Sequence, residues 1–150
     1  MTADLLAVVA LVGSGTVAGV LFAVALSMVP ALMAMSPERY LQAHRLLGRN
    51  WDPTMPVIVL SSTAAAVALA VLSGGAGRAV YAGAAVALLG VSVVSHLANV
   101  PINRRMREVE PDAVPPDWVD PRPVWRRWHL LRTVLAMLAL TGNAVAAMLL

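Results

Sequence analysis

Four long apolar stretches alternate with short polar ones along this 150-residue chain. They predict membrane spans over residues 5–35, 55–73, 79–102 and 125–150. Each reaches or approaches the ~20 apolar residues that a helix needs to cross a hydrocarbon core. The first, Leu5 to Met35, runs 31 residues without a charge and reads as a tilted or protruding helix. The preceding Met1-Thr2-Ala3-Asp4 lacks a basic segment. The apolar run is also about twice too long for a cleavable signal, so a retained helix is expected.

The polar pattern between the spans predicts smaller elements. Ser36-Pro37-Glu38 reads as a helix start, with Ser36 at the cap, Pro37 in the first turn and Glu38 favouring the positive end of the dipole. Over residues 37–49, Tyr40, Leu41, His44 and Leu47 fall at helical spacing among Arg39, Gln42 and Arg45. That is the pattern of an amphipathic interfacial helix. Gly48 weakens its end, and Asn50-Trp51-Asp52-Pro53 breaks it, with Trp51 a headgroup anchor. Ser73-Gly74-Gly75-Ala76-Gly77-Arg78 predicts a tight turn, and residues 103–124, with five prolines, a polar loop. The expectation is one domain over residues 1–150: an all-α, integral membrane four-helix bundle with a short interfacial helix between helices 1 and 2.

Small residues mark the expected interior. Gly15-xxx-Gly19 permits close backbone approach, as do Ser61, Ser62 and Thr63. Packing within the chain is favoured over a homo-oligomer as the use of this spacing. No internal repeat is evident in the sequence, which leaves the inverted-repeat transporter plan unsupported.

Composition sharpens this picture. The chain is 59% hydrophobic, above the roughly 45–50% of soluble domains. It has no cysteine, which excludes disulfides, thiolate metal sites and thiol redox chemistry. Its net charge of +3 comes with eleven arginines and no lysine. In so apolar a chain the basic balance points to a lipid bilayer and not to nucleic acid. Arg78 stands alone at one end of the predicted bundle, and the other ten arginines gather at the opposite end. The positive-inside rule then places both termini outside and the arginine-rich loops in the cytoplasm of a bacterial-type inner membrane.

All three histidines, His44, His96 and His129, fall at that arginine-rich end. Ser92, His96, Asn99 and Asn103 form one stripe on the third helix, and aligned polar groups in lipid must face an interior or a wet cavity. Pro101 removes a donor and frees the carbonyl of Leu97, so the helix is expected to kink or open there. On the fourth helix Trp125, His129, Arg132 and Thr133 share a face. Arg132 has a partner available in Glu38 or Asp52, or a snorkelling route to water. The four tryptophans and Tyr40 suit a pocket for a flat aromatic ligand, or an aromatic belt in the case of Trp51 and Trp128.

Two chemistries are open to these residues. His44, His96 and His129 could ligate a single copper, iron or zinc ion with an open position, although no tight ligand motif is present. Without a metal, a histidine supplies a general base, Asn99 or Asn103 an orienting amide, and Arg132 a cation for an oxyanion. No flavin, haem or nucleotide motif and no nucleophilic triad is recognisable, and the glycines at 74, 75 and 77 form a turn.

Several segments together resemble a family. They are the Gly-rich first helix ending in Val29-Pro30, the Tyr40…His44…Asp52-Pro53…Met55-Pro56 segment, Asn99-Val100-Pro101-Ile102-Asn103, and Trp125…Trp128-His129…Arg132. In order and spacing they resemble the small four-helix membrane proteins related to anthrone oxygenases. The resemblance implies oxygen-dependent conversion of an anthrone methylene to a quinone carbonyl, without flavin or haem. It carries over to His44, Asn99, Asn103, His129 and Arg132, with His96 beside them. No acidic residue lies deep in the spans, so a diiron centre is not expected.

The function expected is thus that of a membrane oxygenase acting with O2 on a small hydrophobic substrate. A histidine takes a proton from an activated C–H, and Arg132 with an asparagine amide steadies the oxyanion. The competing expectation is a non-catalytic small membrane subunit, or a quinone- or lipid-binding protein, in which no individual histidine matters.

Overall fold

The computed structural model describes residues 2–47 and 51–149, with the side chain of Asp52 outside the described set. Five helices carry the fold: α1 (Thr2–Ala34), α2 (Pro37–Leu47), α3 (Trp51–Leu72), α4 (Gly75–Glu108) and α5 (Arg122–Ala147). No strand occurs among the described residues. All but α2 are long and apolar enough to cross a membrane. The chain is an all-α membrane bundle, as its hydrophobic pattern predicts.

Neighbouring helices follow chain order and close into a ring: α1 packs on α3, α3 on α4, α4 on α5, and α5 on α1. In that up-and-down arrangement α1 and α4 run parallel across the diagonal. They have 33 and 34 residues. At 1.5 Å per residue each is about 50 Å long, well beyond the ~30 Å hydrocarbon core. Their C-terminal ends overhang at the same end of the bundle, where α2 and the loop before α5 cover them.

The two long helices share an irregularity. Each has a single π turn, Val24–Met28 in α1 and Ser95–Asn99 in α4. Val29 N–H reaches the carbonyl of Val24, and Val100 N–H that of Ser95. A Val-Pro pair follows both times, Val29-Pro30 and Val100-Pro101. A proline ring inside a helix collides with the carbonyl four residues back, and the wider turn makes room for it. The opening expected at Pro101 therefore takes the form of a π turn. The same device in α1 is a local correspondence that the sequence pattern did not disclose.

Packing grades from small to large along the bundle. At one end Ala7, Ala10, Ala65, Leu69, Tyr81 and Ala146 make the core. At the other, Val29, Leu32, Tyr40, Leu41, Met106 and Trp125 do. Among the described glycines the least room for a side chain is at Gly13, where a β-carbon would collide with the Ser62 hydroxyl of α3. Gly15 and Gly19, the pair expected to permit close approach, have more room: Gly15 has only Leu140 Cδ1 at 3.7 Å and Gly19 nothing within 4 Å. Spacing alone did not identify which glycine faces inward.

The polar segments also differ from the expected ranges. Tyr40 N–H bonds to Ser36 O at 2.9 Å, so α2 begins at the expected cap. It is described to Leu47; Gly48, Arg49 and Asn50 lie outside the described residues. Its face of Tyr40, Leu41 and His44 is buried against the bundle, while Leu46 and Leu47 are exposed. The turn after α3 is only Ser73-Gly74, with Gly75 (φ +50°) already in α4. The loop expected over residues 103–124 shrinks to residues 109–121. Buried Met106, to which Tyr40 Oη donates, keeps α4 helical to Glu108. Arg45 then caps that end through the carbonyls of Arg107 and Val109, at 3.1 and 2.7 Å.

Candidate functional site

His129 is fully buried in α5, and both its ring nitrogens are engaged. Nε2 lies 3.1 Å from the carbonyl of Leu21, which can only accept, so Nε2 carries the hydrogen. Nδ1 is then the acceptor, and it receives Arg132 Nε at 3.2 Å and Nη2 at 2.9 Å. Arg132 Nη1 reaches Ser95 Oγ, in the π turn of α4, at 3.3 Å. The helical spacing of three residues brings the two side chains together, and the guanidinium fork is held in one plane. Arg132 is thus a positioned cation and not a snorkelling one. Of its expected acidic partners, the Asp52 side chain lies outside the described set, and Glu38 sits on the exposed first turn of α2 with Ser36.

Trp125, one turn earlier on α5, lies flat on His129, with ring centroids 5.1 Å apart and planes 1° from parallel. Its indole Nε1 donates to Asn103 Oδ1 at 2.9 Å, and the Arg132 guanidinium stands 5.9 Å from its ring centroid. His44 meets the indole edge-on at 6.4 Å and Tyr40 at 5.8 Å. A continuous aromatic wall therefore runs from α2 to the buried histidine.

This wall borders a cavity of about 350 Å³ inside the arginine-rich end of the bundle. Apolar groups from α1 and α3 form much of it, including Val24, Met28, Met55 and Val59. Of the residues singled out in the sequence, His44, His96, Asn103, His129 and Arg132 all line it. Asn99 does not. The π turn shifts the register of the expected stripe, so fully buried Asn99 points at α5 and donates to the carbonyl of Trp125 at 3.3 Å. Its Oδ1 has no partner among the described residues. His96 Nδ1 lies 2.9 Å from the carbonyl of Ser92. By the same reasoning as for His129, that nitrogen is the donor, and the lone pair of neutral His96 is on Nε2.

The three histidines share the cavity but do not form a ligand set. Among the described residues no three His, Cys, Asp or Glu side chains stand together in a group able to hold a metal ion. His129 also spends both nitrogens on Leu21 and Arg132. Of the aromatics, Trp51 and Trp125 line the cavity, Trp118 packs beside α2, and Trp128 is exposed.

Some supporting residues were not recognised in the sequence. Arg122 was counted among the arginines that report orientation, yet it is buried. It ties the end of α1, at the carbonyls of Leu32 (3.0 Å) and Met35 (2.7 Å), to Asp120 (2.7 Å). Its guanidinium also lies 4.9 Å from the Tyr40 ring centroid. Burial pushes the Asp120 carboxyl up, but the hydrogen bonds from Arg122 outweigh it and hold the group below its ordinary range. Burial, with help from Asp120, pushes the Tyr40 phenol above its ordinary value. The one available signal was position: Arg122 precedes a proline in the first turn of a helix, where carbonyls of a neighbouring helix end are in reach.

Comparison with protein families matches the anthrone oxygenase model over residues 43–142. The chain belongs to the anthrone oxygenase family. No curated protein and no solved structure matches it. The family match takes in His44, His96, Asn99, Asn103, His129 and Arg132, all of the candidate residues. It begins inside α2, so Tyr40 and the Gly-rich α1, both part of the resemblance in the sequence, fall outside it. Yet α1 supplies the Leu21 carbonyl on which His129 rests.

Proposed function

We propose that this member of the anthrone oxygenase family is a membrane-embedded oxygenase. Its substrate would be a flat, hydrophobic molecule with a C–H made acidic by a conjugated aromatic carbonyl. The observation that carries this reading is the fixed Arg132 guanidinium beside Trp125 on the wall of an otherwise mostly apolar cavity.

The aromatic wall favours a planar ring, and Arg132 is aimed where the carbonyl oxygen gains charge as the proton leaves. His96 Nε2 is the base, since its lone pair is the one not committed to a hydrogen bond among the two imidazoles described by their contacts. The carbanion bonds to O2, and the resulting peroxide anion takes a proton from the imidazolium. Loss of the second C–H proton with departure of hydroxide gives the ketone and water. One methylene and one O2 become one carbonyl and one H2O, and the substrate supplies all the electrons. This route uses no flavin, haem or nucleotide, and it draws on the bilayer, where O2 partitions favourably.

The arginine-rich end carries the cavity, and the positive-inside rule puts that end in the cytoplasm with both termini outside. The chain has no cysteine, so single cysteines placed at Gly74 and at Asp117 can be labelled from one side of intact vesicles to check it.

The main test is oxygen uptake by purified protein with an anthrone. His96→Gln and Arg132→Gln should each abolish uptake while the far-ultraviolet helical signal stays unchanged. Full uptake in both variants would overturn the roles given to His96 and Arg132. No uptake by the unaltered protein above the protein-free rate would overturn the enzyme reading and leave a ligand-binding membrane protein.

A further inference from the structure

The cavity is long for its volume. Its lining residues on α4 run from Val91 to Arg107, a rise of about 24 Å at 1.5 Å per residue. Polar groups along it fall in two tiers. On α4, Ser92, Ser95 and His96 form the inner tier, beside His129 and Arg132 of α5, and Asn103, Arg104 and Arg107 form the outer tier, near the overhanging end. Ser95 and Arg104 are about 13 Å apart along the helix axis. On α1, apolar Val24 and Met28 face the stretch between the tiers.

The outer tier is basic. No carboxylate lines the cavity among the described residues. Two acids nearby are already spent, Glu110 on Arg45 at 3.3 Å and Asp120 on Arg122 at 2.7 Å. Glu108, one turn beyond Arg104, makes no ion pair among the described residues. Arg104 is exposed and has no ion pair or hydrogen bond among the described residues. A guanidinium at the mouth of an apolar channel, with no acid assigned to it, binds an anion of matching planar shape.

We propose that Arg104 is a specificity residue: it binds an anionic group, a carboxylate in the simplest case, at the far end of an elongated substrate. The anion stays at the wet mouth while the reacting carbon sits at Arg132, about 13 Å deeper along α4. This rests on the cavity being the substrate site, and it does not depend on which reaction follows. The same chemistry is offered by an anionic lipid headgroup, so the test separates the two sources.

4-(Anthracen-2-yl)butanoate, in which a three-carbon spacer lets the carboxylate reach the outer tier with the ring at the inner one, and its neutral amide are the probes, added to protein in nonionic detergent. Quenching of tryptophan fluorescence reports binding, because Trp51 and Trp125 line the cavity. The acid should bind about tenfold more tightly than the amide, the ratio expected of one charge-assisted contact near water. Arg104→Gln should bring the two within about twofold without changing the affinity for the amide. Arg105→Gln, next in the chain but outside the lining, should keep the full preference. Equal binding of acid and amide by the unaltered protein overturns the proposal and leaves the aromatic-substrate reading standing. Loss of the preference on adding phosphatidylglycerol also overturns it, because the headgroup is then the ligand. If neither probe binds, both readings fall.

Discussion

Arg132 delivers two of its N–H groups to one atom, Nδ1 of His129, at 3.2 and 2.9 Å. The imidazole can accept them because its other nitrogen is held as a donor by the Leu21 carbonyl of α1. A main-chain atom of one helix thereby sets the tautomer of a side chain on another, and that tautomer sets the plane of a guanidinium. His129 acts through Arg132. Protonating or removing it would release the cation that faces the cavity.

The two residues should therefore fail as one unit. Arg132→Lys keeps a charge but loses the planar fork, and is expected to lower kcat by ~10²–10³-fold, the usual worth of an oxyanion donor. His129→Phe keeps the stack on Trp125 and frees Arg132, with a loss of similar size. The double variant should be no worse than the poorer single one, because groups that act together are not additive. Losses that multiply in the double variant would show two independent roles.

His96 and His44 both line the cavity, but they should separate in steady-state kinetics. His96→Gln removes the proposed base and should cost ~10²–10⁴ in kcat. His44→Gln alters the wall beside Trp125 and should act mainly on KM. The reverse assignment would move the base to α2.

Trp125 and Asn103 meet through a single hydrogen bond of 2.9 Å, which a double-mutant cycle can isolate. Trp125→Phe preserves the ring on His129 and drops the donor, and Asn103→Ala drops the acceptor. Their coupling in unfolding free energy should be about 1 kcal/mol. A value near zero would mean that water replaces the bond at no cost.

The spans and the amphipathic helix were legible because a bilayer permits few solutions, and the periodicity of each apolar run states its element. The candidate residues were legible as polar groups that lipid could not accommodate. Their mutual geometry was not. A π turn in α4 changes the register on which an i, i+3, i+7 stripe depends, so Asn99 left the cavity while Ser95 joined its edge. Arg122 and Arg45 were hidden for a different reason. Each serves carbonyls at a helix end distant in the chain, and no local pattern marks such a partner.

Gly13 of α1 faces the Ser62 side chain of α3. Gly13→Ala drives a methyl group into the Ser62 hydroxyl, which donates to the Ile58 carbonyl, and should destabilise the bundle by ~1–3 kcal/mol, as overpacking does. Gly19→Ala, with open space around it, should be neutral or slightly stabilising through helix propensity. Adding Ser62→Ala to Gly13→Ala should recover part of the loss, since the hydroxyl is the nearest obstacle. Unfolding in detergent ranks the three variants.

The Asp120–Arg122 pair should make the clamp on α1 sensitive to acid. Asp120 is held below its ordinary pKa in the folded protein, so its ionised form contributes stability at neutral pH. That contribution is fully present above the unfolded value of 3.8 and is lost as pH falls through the lower folded value. Asp120→Asn should therefore lower the unfolding temperature at pH 7, and its deficit relative to the unaltered protein should shrink once the pH drops below about 4. Partial exposure of the carboxylate keeps the effect modest. Arg122→Gln should do more harm at every pH, because it also strips the carbonyls of Leu32 and Met35 of their donor. A deficit for Asp120→Asn that persists unchanged to low pH would assign the aspartate a role in packing and not in charge.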